Sequence, residues 1–142
     1  MKCGLLGRKL GHSFSPMIHA HLGNYSYELF EREPENLENF LRNGDWSGIN
    51  VTIPYKKDVI PYLDELSPIA AKLGAVNTII RRDGRLIGHN TDFFGFQEIF
   101  QIFRLPLEDP VAVIAQVFVD LRGEAVAQFP AQESAFHQTT SR

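Results

Sequence analysis

Apolar and amphipathic segments alternate along the first half of the chain, and this alternation constrains the fold more than any other feature. Residues 2–6 form a short apolar run, residues 16–22 form a helical segment that ends at Gly23, and residues 25–32 alternate in polarity as a strand does. Pro34 then opens a second amphipathic helix. The order strand, helix, strand, helix is typical of a mostly parallel sheet, so we predict an α/β fold.

The later elements carry their own start and stop signals. Asp83–Gly84 is a two-residue hairpin signal, which should add one antiparallel hairpin to the sheet, with helices on both faces. In the second strand, alternation places Tyr25, Tyr27 and Leu29 on one face. The other predicted elements are a helix at residues 57–63, a helix capped by Ser67 that ends at Gly74, a strand at residues 75–80, and a helix capped by Thr91 or Asp92.

Residues 48–56 carry the densest functional chemistry. They indicate a buried strand in which Asn50 and Thr52 point to one face and which Pro54 ends, because proline cannot donate to the sheet. Lys56 follows just beyond the strand, where open α/β sheets place their ligand crevices. Its amine can donate or accept a proton, so we predict that the active site lies here.

The predicted hairpin brings two further polar groups together. Asn77 lies at the start of its first arm and Asp92 follows the end of its second arm. Because hairpin arms are antiparallel, these two residues should be neighbours in one site. The alternative for Asp92 is the simple role of capping the helix that it precedes.

Ser13 and Ser15 precede the first predicted helix. A helix N-terminus offers free N–H groups and a positive dipole, so two hydroxyls there would suit an anion such as a carboxylate. The alternative is that Ser15 only caps the helix, with Pro16 at its first position, and that Ser13 belongs to the loop.

The composition excludes several classes of function. A net charge of -3 over 142 residues offers no basic surface for nucleic acid. One cysteine fits a reducing compartment, no apolar run approaches the ~20 residues that span a bilayer, and the first residues lack a signal peptide's apolar core. We therefore expect a cytoplasmic protein with no membrane partner. His19 and His21 point to different helix faces, so no metal site is expected.

The chain changes character near its end. Residues 105–114 indicate a linker followed by one more strand. No G-x-G-x-x-G follows that strand, so the backbone cradle for a pyrophosphate is missing. We expect residues 115–142 to be an atypical and partly disordered tail.

Four short motifs occur in a specific order. They are Ser13 with Ser15, residues 50–56, Gly-Ala-Val-Asn-Thr at residues 74–78 and Asn-Thr-Asp at residues 90–92. With this order and spacing, the chain resembles shikimate dehydrogenases. In that family such a region is an α/β substrate-binding domain, and a Rossmann domain that binds NADP follows it. The resemblance implies that residues 1–104 are the substrate-binding domain and that residues 105–114 begin a truncated nucleotide-binding domain.

The resemblance also implies a role for each matching residue. Lys56 and Asp92 would form the catalytic pair of an NADP-dependent reduction of 3-dehydroshikimate to shikimate, in which Lys56 gives a proton to the carbonyl oxygen as hydride arrives. Ser13 and Ser15 would hold the substrate carboxylate. The groups that bind the ring hydroxyls would be Asn50, Thr52, Asn77 and Asp92. Phe93 departs from the glycine that the family commonly has after Asn-Thr-Asp.

Two other functions stay open beside this enzyme. One is a module that binds shikimate or quinate without transferring hydride, which the missing phosphate loop favours. The other is a non-functional truncated fragment. The sequence leaves the oligomeric state open, as well as the choice between NADP and NAD.

Overall fold

The computed structural model describes residues 1–102 of the chain. The predicted linker at residues 105–114 and the predicted tail at residues 115–142 lie outside the described residues. Two short 3-10 helices, Pro34–Asn36 and Ile60–Tyr62, accompany the main elements. Within the described residues these are β1 Lys2–Gly7, α1 Ser15–His19, β2 Ser26–Glu31, α2 Leu37–Asn43, β3 Gly48–Val51, β4 Glu65–Leu66, α3 Pro68–Leu73, β5 Thr78–Arg82, β6 Arg85–His89 and α4 Asp92–Ile102.

The strands form one sheet in the order β2-β1-β3-β5-β6-β4. The pairs β1–β2, β1–β3 and β4–β6 are parallel, whereas β5 is antiparallel to both of its neighbours. Among the described strands, β5 is therefore the one that runs in the reverse direction. The predicted α/β fold with a mostly parallel sheet and one antiparallel hairpin is confirmed.

The reversed strand β5 determines which residues meet at the sheet edge. Its first residue, Thr78, pairs with Asn50 near the end of β3 on one side and with His89 at the end of β6 on the other. The segments that follow β3 and β6, and the segment that precedes β5, therefore lie at the same edge. Lys56, Asp92 and Asn77 come from these three segments.

One face of the sheet carries the main core. Each fully buried aliphatic side chain there contributes about 1.5–3 kcal/mol relative to an exposed one. The predicted second strand is present as β2, and its buried side chain is Phe30, which packs against Phe40 of α2 with ring centroids 5.0 Å apart. The buried cluster includes Leu6, Phe30, Leu37, Phe40, Leu41, Trp46, Ile49, Val51, Tyr55, Val59, Val76, Ile79 and Leu86.

Local sequence signals predicted α3 and the hairpin correctly. The Ser67 hydroxyl oxygen accepts a hydrogen bond from the Ala70 N–H, and Gly74 ends α3 in the left-handed conformation with φ 59°. Asp83 and Gly84 both have positive φ, 52° and 75°, as a type I′ turn requires. The predicted cap, stop and turn are therefore confirmed.

Three predicted elements differ from the structure near the site. Strand β3 ends at Val51 instead of continuing to residue 53, because Tyr55 N–H bonds to the Thr52 carbonyl at 3.0 Å and the chain turns there. Residues 57–63 form turns and a 3-10 helix instead of an α-helix. Strand β5 begins at Thr78 instead of residue 75, and the two-residue strand β4 was not predicted.

Asp64 connects two parts of the fold through its carboxylate. Oδ2 accepts from the Leu86 N–H at 2.7 Å and Oδ1 accepts from Arg42 Nη1 at 3.1 Å. The backbone hydrogen bond first, and then the Arg42 contact, hold the pKa of Asp64 below its ordinary 3.8. A carboxyl whose pKa is lowered by folding stabilises the fold above its unfolded pKa, and this stabilisation is lost as the pH falls through the folded pKa.

We expect the Asp64→Asn variant to have a lower free energy of unfolding than the unchanged protein at pH 7. The difference in free energy between the two proteins should narrow as the pH falls below 3.8. Urea denaturation at pH 7 and at pH 3 measures both differences. Asp45→Asn is the matched control, because the Asp45 side chain is 98% exposed and its loss should leave stability unchanged. A difference for Asp64→Asn that widens toward pH 3 would contradict the expectation.

No helix within residues 1–102 is long and apolar enough to cross a membrane. In the same part of the chain, no group of three or more His, Cys, Asp or Glu side chains is placed to hold a metal ion.

Candidate active site

Lys56 and Asp92 form an ion pair at the sheet edge. Lys56 Nζ lies 2.6 Å from Asp92 Oδ2, and the two side chains are 17% and 31% exposed. The Lys56 carbonyl accepts a hydrogen bond from the Val76 N–H at 2.7 Å, which fixes the backbone under the amine. The short contact is a charge-assisted hydrogen bond. Because both side chains are partly exposed, a small molecule can reach the pair.

Asn77 holds the second oxygen of the same carboxylate. Asn77 Nδ2 donates to Asp92 Oδ1 at 2.8 Å, and Asn77 Oδ1 accepts from the Thr91 N–H at 2.9 Å. The structure thus places Asn77 and Asp92 together, as the antiparallel hairpin predicts. Asn77 is only 7% exposed, so its amide is fixed and orients Asp92 toward Lys56.

Asn90 supplies the helix cap that was predicted for Thr91 or Asp92. Asn90 Oδ1 accepts from the Phe93 N–H at 3.2 Å, and Asn90 Nδ2 donates to the Ala75 carbonyl at 3.0 Å. Helix α4 begins at Asp92 itself, whose carboxylate accepts from Lys56 and Asn77. The alternative that Asp92 serves only as a cap is therefore not supported.

A row of polar side chains extends the site across the sheet. Asn50 Nδ2 donates to Thr78 Oγ1 at 3.3 Å, and Thr78 Oγ1 donates to Asn77 Oδ1 at 3.2 Å. On its other side, Asn50 Oδ1 accepts from the Tyr27 hydroxyl at 2.8 Å. Sequence reasoning identified Asn50 but missed Tyr27 and Thr78, because strand order, which alternation does not reveal, decides which residues pair.

The serines lie at a helix end that differs from the prediction. Helix α1 is only five residues long, Ser15 is its first residue, and Phe14 occupies the cap position without a capping side-chain bond. Ser13 Oγ instead accepts from the Ser15 N–H at 3.2 Å. Beyond His19 the chain continues in tight turns with i to i+3 hydrogen bonds, so α1 does not reach Gly23.

Thr52 is the site residue with the loosest connection to the others. It lies one residue beyond β3, and its N–H donates to the Leu6 carbonyl at 2.9 Å. Its methyl carbon would come within 2.9 Å of a Cβ added to Gly7 at the end of β1. Thr52 is therefore beside the end of β1 and the start of the loop that carries the serines.

The collected groups suit a small, hydroxylated and negatively charged molecule. They combine an ammonium, a carboxylate, two amides and several hydroxyls within one edge of the sheet. Burial raises the pKa of Tyr27 to about 12, and a hydrogen-bonding interaction with Ser15 offsets part of the rise. Tyr27 therefore keeps its proton and remains a donor at any physiological pH.

Comparisons with known proteins point to one family. A family model described as the shikimate dehydrogenase substrate binding domain matches residues 5–79. The NADP(+)-dependent shikimate dehydrogenase of Clostridium beijerinckii is 45% identical over 119 residues, which are 78% of this chain and 44% of that protein. The match thus spans less than half the length of this curated relative.

Solved structures agree with this result. Shikimate dehydrogenase 1 from Peptoclostridium difficile superimposes with a TM-score of 0.71 at 32% identity, covering 82% of this chain and 52% of that one. Shikimate 5-dehydrogenase from Thermus thermophilus in complex with shikimate gives 0.68 at 38% identity, covering 78% and 45%. The resemblance predicted from the four motifs is confirmed, and the chain belongs to the family of shikimate dehydrogenase substrate-binding domains.

Proposed function

We propose that residues 1–104 form the substrate-binding domain of an NADP-dependent shikimate dehydrogenase, which reduces 3-dehydroshikimate to shikimate. The observation that carries the proposal is the 2.6 Å contact between Lys56 Nζ and Asp92 Oδ2, with Asn77 fixed on the other carboxylate oxygen. Family membership and the names of the relatives support the same reaction. The chain contains one cysteine, which fits a reducing compartment, and we place the reaction in the cytoplasm.

In this proposal each polar group has a part of the substrate to bind. Ser13 and Ser15 hold the carboxylate through their hydroxyls. The ring hydroxyls are bound by Asn50, Thr52, Asn77 and Asp92. A Thermus thermophilus relative has been solved with shikimate, which supports this ligand.

Lys56 acts as the proton donor and Asp92 orients it. Negative charge builds on the carbonyl oxygen of the substrate during reduction, and an adjacent ammonium stabilises that charge and transfers a proton to it. Asp92 directs the amine, while Asn77 keeps Asp92 in place. General acid assistance of this kind is typically worth about 10²–10⁴ in rate.

The residues described here do not fit NADP. The whole sequence contains no G-x-G-x-x-G, and the glycines with positive φ, Gly74 and Gly84, lie at a helix end and in a hairpin turn. The cofactor would therefore be held by a part of the enzyme other than residues 1–102. This observation favours a second candidate function for the chain alone, which is binding of shikimate or quinate without turnover.

A calorimetric titration tests the proposed substrate. We expect saturable binding of shikimate, and much weaker binding of 1-cyclohexene-1-carboxylate, which keeps the ring and carboxylate but lacks the three hydroxyls that the polar row would bind. Shikimate has a ring double bond and quinate does not, so the shikimate ring is the flatter one. Titration of quinate in parallel tests whether the site prefers the flatter ring. Equal affinity for shikimate and the deoxygenated analogue, or no binding of shikimate by the folded chain, would refute the proposal.

A further inference from the structure

Tyr27 interacts with two groups of predicted site residues, the serine segment at residues 13–15 and the polar row that begins at Asn50, although Tyr27 itself was not predicted as a site residue. It lies on the edge strand β2, two strands away from β3. Its hydroxyl donates to Asn50 Oδ1 at 2.8 Å, and it also interacts with the Ser15 side chain. Tyr27 thus interacts with both the serine segment and the row of amides.

From Asn50 an unbroken series of side-chain hydrogen bonds leads to the catalytic pair. It passes from Asn50 to Thr78 at 3.3 Å, from Thr78 to Asn77 at 3.2 Å and from Asn77 to Asp92 at 2.8 Å. The first step crosses from β3 to β5, the second joins two adjacent residues of the chain, and the third reaches the first residue of α4. The Tyr27 hydroxyl is the outer end of this series.

The Tyr27 bond has a directional consequence for Asn50. A side-chain amide has an acceptor oxygen and a donor nitrogen that can exchange places by rotation. A phenol that donates to Oδ1 fixes the oxygen toward β2, so the nitrogen faces Thr78. Without that donor, the Asn50 amide would be free to present either atom to a ligand.

His19 holds the Tyr27 ring in place. The two rings stack with centroids 3.7 Å apart and an interplanar angle of 12°. His19 Nδ1 is in turn fixed by a 2.7 Å hydrogen bond with the Tyr25 hydroxyl. The ring position therefore depends on stacking, whereas the orientation of Asn50 depends on the hydroxyl.

We propose that Tyr27 is a positioning residue that orients the Asn50 amide and thereby sets the affinity of the site for the ring hydroxyls of its ligand. This inference rests on the proposed function, because it takes shikimate as the ligand. Tyr27 acts through Asn50 and is not itself required to touch the substrate.

Tyr27→Phe removes the hydroxyl and keeps the ring that stacks on His19. We expect the dissociation constant for shikimate to rise about 3- to 10-fold, the usual effect of one lost hydrogen bond. Tyr25→Phe is the matched control, because it removes a hydroxyl whose partner is His19 and should change the affinity less than about twofold. Calorimetry on the full chain measures both.

A double-substitution cycle separates positioning from general support. In an Asn50→Ala background, Tyr27→Phe should have almost no further effect on affinity, because the amide that it orients is gone. If Tyr27→Phe raised the dissociation constant by the same factor in the Asn50→Ala background as in the unchanged protein, the inference would be overturned. An unchanged affinity in the Tyr27→Phe variant would also overturn it. Failure of the unchanged chain to bind shikimate would refute the proposed function, and the inference would fall with it.

A second measurement needs no ligand. The side-chain amide signals of Asn50 in a nitrogen-15 NMR spectrum should move in Tyr27→Phe and stay in place in Tyr25→Phe. Unmoved signals in Tyr27→Phe would overturn the inference. A Tyr27→Phe chain that does not fold would do the same, because it would assign the hydroxyl to fold stability.

Discussion

Lys56→Ala is expected to weaken shikimate binding by about 10- to 100-fold, because the substitution removes a hydrogen bond to a charged group, typically worth about 1.5–3 kcal/mol. It also leaves Asp92 Oδ2 without the amine that lies 2.6 Å away. Titration calorimetry on the full chain measures the loss. Asp92→Asn should weaken binding as well, because a neutral amide cannot pair with the ammonium in the same way.

Lys57→Ala provides the matched control for Lys56→Ala. The two lysines are adjacent in sequence and carry the same charge, but Lys57 is exposed whereas Lys56 is paired with Asp92 at the site. We expect Lys57→Ala to leave the affinity within about twofold, because an exposed charge contributes little. An equal loss in both variants would mean that the net positive charge attracts the ligand, and it would contradict the proposed role of Lys56.

Gly4→Ala is expected to destabilise the fold strongly, by about 3 kcal/mol or more. A Cβ added at Gly4 would overlap the Glu28 carbonyl oxygen and the Phe30 ring, both on the neighbouring strand β2. A backbone atom in a paired strand cannot move aside as the end of a flexible side chain can. Chemical denaturation followed by circular dichroism measures the free energy of unfolding.

Gly95→Ala is the opposite case and serves as the control. Gly95 lies inside α4, and a Cβ added there meets nothing within 4 Å. Alanine has a higher helix propensity than glycine, so the substitution should stabilise the protein by about 0.5–1 kcal/mol. If both variants lost stability equally, steric overlap at β1 would not be the cause of the Gly4→Ala effect.

The parts of the site that the sequence predicted depend on local signals. Asp83–Gly84 indicated the hairpin, and the hairpin alone brings Asn77 beside Asp92. Lys56 was placed correctly at the sheet edge even though β3 ends earlier than predicted, because Pro54 and the turn after Thr52 keep the chain at that edge. Short-range start, stop and turn signals thus predicted that Lys56 lies at this edge of the sheet and that Asn77 lies beside Asp92.

The parts that the sequence did not predict depend on pairing between distant segments. Tyr27 reaches Asn50 only because β2 and β3 flank β1, and polarity alternation contains no information on that order. The burial of Phe30 in β2 was not predicted, for a related reason. Phe30 is buried against Phe40 of α2, a contact between two elements that alternation within one strand does not reveal.

The reversal of β5 also separates the hairpin turn from the sheet edge that carries the proposed site. Thr78 and His89 pair at one end of the two arms, and Arg82 and Arg85 pair at the other. Strands rise about 3.4 Å per residue and Asp83 comes six residues after Asn77, so the turn lies roughly 20 Å from the edge that carries Asn77. A fluorescent label or a short inserted peptide at that turn could therefore report on the protein without disturbing the residues that we propose bind the substrate.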